Sequence, residues 1–173
     1  MPEAETSHAA APGRPKQGSA PSGGSAADEV ASVGATFSWP VRVYWEDTDA
    51  GGIVYYANYL KFFERARTEW LRALGLEQQA LRAQTGAMFV VSEAAIKYHL
   101  SARLDDQLLV TAKIGTMGRS SFTMEQQALR VAAPANPGEV ELLCAATVRI
   151  GWVEASGLKP ARIPNNILQA LKT

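Results

Sequence analysis

Between Tyr59 and Leu74 the apolar residues Tyr59, Phe62, Phe63, Ala66, Trp70 and Leu74 return at spacings of three and four, with Lys61, Glu64, Arg65, Thr68, Glu69 and Arg72 on the other side. This is one long amphipathic helix, and its apolar stripe has to be covered by something. Asn58 stands where an N-cap belongs, and Gly75 where a left-handed stop belongs. A second, short helical piece runs from Glu77 to Gln84 and ends near Gly86. The remaining long runs have period two. Phe37, Trp39, Val41, Val43 and Trp45 alternate with largely polar neighbours, and Pro40 marks an edge or a bend. After Gly86, Val90, Ala94, Ile96 and Tyr98 alternate, then Leu108, Val110, Ala112 and Ile114, then Val140 through Trp152. Ser121 to Ala132 fits less cleanly, with Phe122, Met124 and Ala128 on one face. The connections Ser101–Asp106, Met117–Ser120 and Ala133–Gly138 are short, as in hairpins. The pattern predicts an α+β domain in which a five-stranded antiparallel sheet wraps one long central helix.

That domain occupies residues 37–173. Residues 1–36 hold nine Ala, five Gly, five Ser and four Pro, a low-complexity composition that reads as a disordered tail. A net charge of zero offers no electrostatic footprint for nucleic acid, and no apolar run reaches the ~20 residues of an integral membrane segment. One cysteine and two histidines give neither an internal disulfide nor a soft-ligand cluster, so the reading is cytoplasmic and metal-free. Val91, Ala95, Leu109, Leu143 and Val153 fall on the outward phase of their strands although none is polar. Self-association would cover them.

Chemistry concentrates in the connection between the first strand and the long helix. Trp45 to Tyr59 holds the carboxylates Glu46, Asp47 and Asp49, then Gly51 and Gly52, just before the helix begins. A helix start presents unpaired N–H groups and a positive dipole end, which suit an oxyanion formed from a carbonyl. Glycines let a substrate approach the backbone closely, and an upstream carboxylate supplies a nucleophile or general base without serine, cysteine or metal. The plainer alternative is that Asp47 and Asp49 only cap a turn.

The run Tyr44-Trp45-Glu46-Asp47-Thr48-Asp49-Ala50-Gly51-Gly52-Ile53-Val54-Tyr55, followed by Asn58-Tyr59, Glu64-Arg65-Ala66-Arg67 and Ala102-Arg103-Leu104-Asp105-Asp106, closely resembles the hot-dog-fold acyl-CoA thioesterases. The nearest branches are the Tol-Pal-associated (YbgC-like) enzymes and 4-hydroxybenzoyl-CoA thioesterase. The resemblance implies that Asp49 is the catalytic carboxylate, acting on the thioester carbonyl or on a water. It implies that the Tyr56 backbone N–H polarises that carbonyl. Gly52 falls on the glycine lining the pantetheine path, with Val54 and Asn58 as further substrate contacts. Arg119 and Ser120 fall in a loop that the family places near the nucleotide end of coenzyme A. Many Tol-Pal-type members carry His where this chain has Tyr56, so no imidazole is available at that position. The resemblance further implies a homo-oligomer, dimer or homotetramer, whose neighbouring subunit completes the pocket. No cofactor is consumed, coenzyme A being the leaving group. Thioesters of acyl carrier protein are a further substrate form, and peripheral attachment at the inner membrane is an option within the envelope-associated branch.

Other reactive residues have plainer readings. Glu64, with Lys61 and Arg67 three residues away on either side, reads as a surface or interface ion pair. Asp105 and Asp106 read as turn formers, His99 as an interface or surface residue, and Cys144 as core. Pro164 to Lys172 reads as a short amphipathic helix docked on its own domain. The rival functions are a non-catalytic acyl-carrier-binding accessory of an envelope or lipid-synthesis complex, and an enoyl-CoA hydratase. The second would need an Asp–His pair, and no histidine neighbours Asp49 in sequence.

Overall fold

A computed structural model describes residues 36–131 and 140–172. The expected tail lies outside the described residues apart from Thr36, as does the expected loop Ala133–Gly138. The chain runs β1 (Phe37–Arg42), α1 (Asn58–Ala73), α2 (Gln78–Thr85), β2 (Ala87–Tyr98), β3 (Gln107–Met117), β4 (Ser121–Val131), β5 (Val140–Glu154) and α3 (Asn165–Lys172). The five strands form one antiparallel sheet in the order β1-β3-β4-β5-β2. The apolar stripe of α1 drives the packing. Tyr59, Phe62, Phe63 and Ala66 are buried against β1, β3 and β4, which contribute Val41, Leu108, Val110, Met124 and Ala128. Gly75 takes φ +74, the left-handed conformation that stops the helix.

Sequence periodicity misplaces the strands where they bulge. Leu143 was expected to face outward, yet it is wholly buried. Ala128 pairs with Cys144 but Leu129 pairs with Leu142, so Leu143 is an extra residue, and its carbonyl accepts the N–H groups of His99 (2.8 Å) and Leu100 (3.1 Å). Val153, also expected outside, is covered because the chain folds back over it. Val153 bridges Pro160, and Ala161 N–H donates to the Trp152 carbonyl at 2.9 Å. That return carries Ile163, Ile167 and Leu171 into the core, so α3 docks on its own domain. In β2, Val91 pairs with Ile150 and Glu93 with Arg149, leaving Ser92 as the extra residue. Paired residues share a sheet face, so Val91 joins the buried Ile150 on the helix side and still remains 50% exposed. The sheet ladder of β1 ends at Arg42 rather than Trp45, and Trp45–Asp47 forms a single 3-10 turn. Among the described residues no helix is long and apolar enough to cross a membrane.

Candidate active site

The segment between β1 and α1 is pinned from one buried residue. The carboxylate of Asp47, 3% exposed, accepts the Tyr44 N–H at 2.9 Å, and its carbonyl accepts the Tyr55 N–H and the Asn58 side-chain amide, both at 2.9 Å. Asp47 is therefore structural, and Glu46 stays exposed. Asp49 is held differently. Its N–H donates to Ile53 O, its carbonyl accepts Gly52 N–H, both at 2.9 Å, and Oδ1 accepts Gly51 N–H at 2.8 Å. Oδ2 has no partner among the described residues. The two glycines have separate reasons. Gly52 sits at φ +71, a conformation that a side chain strains, whereas a Cβ on Gly51 would stand 3.1 Å from Asp49 Oδ1.

Asn58 is not the N-cap. It is the first residue of α1, its side chain is buried on Asp47, and Ala57 occupies the cap position with no side-chain hydrogen bond. The helix start is thus left uncapped. Tyr56 and Ala57 donate their N–H groups to no acceptor among the described residues. The Tyr56 side chain is 60% exposed, and its carbonyl accepts the Tyr98 hydroxyl at 3.0 Å.

Asp49, Ile53, Val54 and Tyr56 line one cleft of about 260 Å³, whose opposite wall comes from Tyr59 of α1 and from Tyr98, His99, Leu100 and Ser101 at the end of β2. The connection is local. Val54 N–H donates to Ala102 O at 2.9 Å, and Ala102 N–H donates to the Tyr59 hydroxyl at 2.9 Å. Burial raises the pKa of Tyr59 and of Tyr98, keeping both as phenols. Of the residues expected in the site, Asp49, Tyr56 and Val54 share this cleft. Gly52 and Asn58 shape the segment from behind. Arg119 and Ser120 follow the far end of β3, an eleven-residue strand of roughly 30 Å, and do not line it. Their carbonyls anchor Ile163 N–H (2.9 Å) and Trp152 N–H (2.8 Å).

Sequence reasoning missed the wall from β2. His99 was read as a surface or interface residue, and it lines the same cleft as Asp49, although no hydrogen bond joins the two side chains. Nothing local in the sequence marks Tyr98 or His99. The other readings sort more simply. Arg67 turns inward to Gln126 and Glu64 accepts the Thr68 hydroxyl at 2.7 Å, so the expected Glu64 ion pair is absent among the described residues. Asp105 takes φ +67 and Asp106 accepts Arg103 N–H at 2.9 Å, as turn residues do. Cys144 is fully buried, which pushes its thiol up to about 12.

Residues 43–171 match the profile of the thioesterase-like superfamily. The acyl-CoA thioesterase YbgC of Haemophilus influenzae is 42% identical over 134 residues, 78% of this chain and 93% of that protein. The acyl-CoA thioester hydrolase YbgC of Escherichia coli O157:H7 is 43% identical over 136 residues, 79% of this chain and 96% of that protein. Among solved structures, a probable thioesterase from Bartonella henselae superposes with a TM-score of 0.66 at 34% identity, covering 75% of this chain and all of that one. The 4-hydroxybenzoyl-CoA thioesterase of Pseudomonas sp. strain CBS-3 superposes at 0.69, covering 78% of this chain and 98% of that one; at 21% identity it speaks for the hot-dog fold alone. On the profile match and the identity across most of the domain, this chain belongs to the thioesterase-like superfamily.

Proposed function

We infer that this chain hydrolyses acyl-CoA thioesters to a carboxylate and free coenzyme A, with Asp49 as nucleophile or general base and the N–H groups at the start of α1 as the oxyanion site. The observation that carries the reading is the juxtaposition of a carboxylate with a free oxygen and an uncapped helix start in one cleft. As general base, Asp49 takes a proton from a water whose oxygen attacks the thioester carbon; as nucleophile, its own oxygen attacks and water then hydrolyses the resulting anhydride, releasing the acyl group as carboxylate and Asp49 unchanged. In either route the carbonyl electron pair moves onto oxygen, where the Tyr56 and Ala57 N–H groups and the helix dipole stabilise it, and collapse breaks the C–S bond, the coenzyme A thiolate leaving and taking up a proton. Coenzyme A enters with the substrate and leaves as product, so the reaction consumes no cofactor. The working form we infer is a homo-oligomer, because Val91 and Tyr98 on the helix-side face of β2 stay about half exposed in a single chain. In such an assembly Arg119 and Ser120 reach coenzyme A from a second copy.

The test is thiol release from short aliphatic, long aliphatic and aromatic acyl-CoAs by wild type and Asp49→Asn. Wild type is expected to turn over one class, and the variant to lose about 10²- to 10⁴-fold in kcat. A variant that keeps near-wild-type turnover refutes the role of Asp49. Absence of turnover by wild type, with saturable binding of acyl carrier protein, supports the binding accessory instead.

A further inference from the structure

We propose that Tyr98 is the positioning residue of the oxyanion site, holding Tyr56 in place through a hydrogen bond from its phenol to the Tyr56 carbonyl. The inference rests on the reading of α1's start as the place where the thioester carbonyl binds. Tyr56 lies two residues before α1. The peptide unit carrying its own N–H is held by the first helical residue, since Asn58 N–H donates to Tyr55 O at 2.8 Å, whereas the next unit, Tyr56 C=O with Ala57 N–H, lies outside the helix ladder. What fixes that second unit is a group from the sheet. The Tyr98 hydroxyl donates to the Tyr56 carbonyl at 3.0 Å, and no backbone N–H among the described residues competes for that oxygen.

The donor itself is held on several sides. Tyr98 pairs with Cys144 across the β2–β5 ladder. Its ring meets the edge of Tyr59 at 5.8 Å and of Tyr56 at 6.3 Å. Tyr59 is 2% exposed and its hydroxyl is occupied by Ala102 N–H, so it serves as a fixed backstop. The position of the Ala57 N–H is thereby referenced to the sheet rather than to a free loop. A peptide unit is planar, so fixing its oxygen fixes the N–H on its other side, here that of Ala57. A donor on the carbonyl also polarises the unit and strengthens that N–H as a donor. The phenol neither gives nor takes a proton in the reaction; it is already a donor in the ground state. Burial and the neighbouring Tyr56 phenol raise its pKa, which keeps the proton in place.

Tyr98→Phe tests this, since it keeps the ring contacts and deletes only the O–H. Turnover of benzoyl-CoA and hexanoyl-CoA is expected to fall about tenfold in kcat with KM within about twofold, less than the loss of a direct oxyanion donor. The second readout is the infrared carbonyl stretch of the same two thioesters, isotope-labelled at the carbonyl and bound to the Asp49→Asn protein. The bound band is expected at lower frequency than the free one, and adding Tyr98→Phe should return part of that shift. A purely packing role leaves the band unmoved. If Tyr98→Phe fails to fold, 3-fluorotyrosine at position 98, a stronger donor of nearly the same shape, should push the band further down while protonated. An unmoved band with wild-type kcat, or a rise in KM alone, overturns the proposal. If Asp49→Asn stays active, the reading of Asp49 falls by itself, and the split of kcat from KM for Tyr98→Phe in the wild-type background still decides the role of Tyr98.

Discussion

Three acidic residues within four positions do three different things, and their hydrogen bonds separate them. Glu46 is solvated, Asp47 is spent on Tyr44, and Asp49 keeps an oxygen free toward the cleft. Asp49→Asn should leave stability within ~0.5 kcal/mol of wild type, because the amide oxygen still accepts from Gly51 N–H. Asn58→Ala should behave in the opposite way. It deletes a buried amide that donates to Asp47 O, so urea unfolding should show a loss of about 1–2 kcal/mol, and kcat should fall because the segment holding Asp49 is loosened. Equal stability of wild type and Asn58→Ala would show that the amide pins nothing. At this scale the Asp49 side of the candidate cleft was legible, since Asp49 to Tyr56 is one contiguous run with a chemical logic of its own. The Tyr98–Ser101 wall was not, because it meets Asp49 only through pairings of residues more than forty positions apart, such as Val54 with Ala102.

Elements are joined by polar contacts that a hydrophobic pattern does not announce. Gln126, on the inward phase of β4 beside Met124 and Ala128, is 1% exposed. Its amide donates to Phe63 O at 3.0 Å and its oxygen accepts from Arg67 at 2.7 Å, tying β4 to α1. This polar core residue is why the run Ser121 to Ala132 reads poorly as an alternating strand. Desolvation lowers the Arg67 pKa against a smaller upward pull from Glu64, and the hydrogen bond the cation makes is to the neutral Gln126 amide. Gln126→Leu should therefore destabilise by about 2–3 kcal/mol, since it strands a half-buried guanidinium. Pairing it with Arg67→Met should recover more than half of that loss, because both ends of the contact are then apolar. A double variant no better than Gln126→Leu alone would assign the cost to lost packing. The bulges at Ser92 and Leu143 belong to the same class of feature. Each shifts the phase of its strand by one residue, and a period-two reading has no way to register the shift.

The two edges of the sheet are unequal, and only one of them is suited to pairing with a second copy. β1 is six residues long and carries Pro40, which cannot donate to a further strand. β2 is twelve residues long with an open edge, and on its helix-side face Val91 is 50% and Tyr98 44% exposed, because α1 lies over β1, β3 and β4 instead. An open, long, apolar-faced edge is a template for another strand, and an antiparallel pairing of β2 with its own copy satisfies two-fold symmetry. Such a pairing would extend the sheet across both chains and set the second copy's helix beside the uncovered face. The expected outcome is that wild type sediments as a dimer or tetramer at micromolar concentration. Val91→Lys, which places a charge on that face, should raise the dissociation constant by about 10²-fold or more. Thiol release per chain should fall as the monomer fraction rises, because Tyr98, which ends β2, hydrogen-bonds to the Tyr56 carbonyl of the cleft. A Val91→Lys protein that stays assembled would move the interface to the outer face of the sheet, where Ala95 and Thr147 are exposed. A monomer with full turnover would mean that one chain's cleft is sufficient for catalysis, and that the open edge of β2 serves assembly alone.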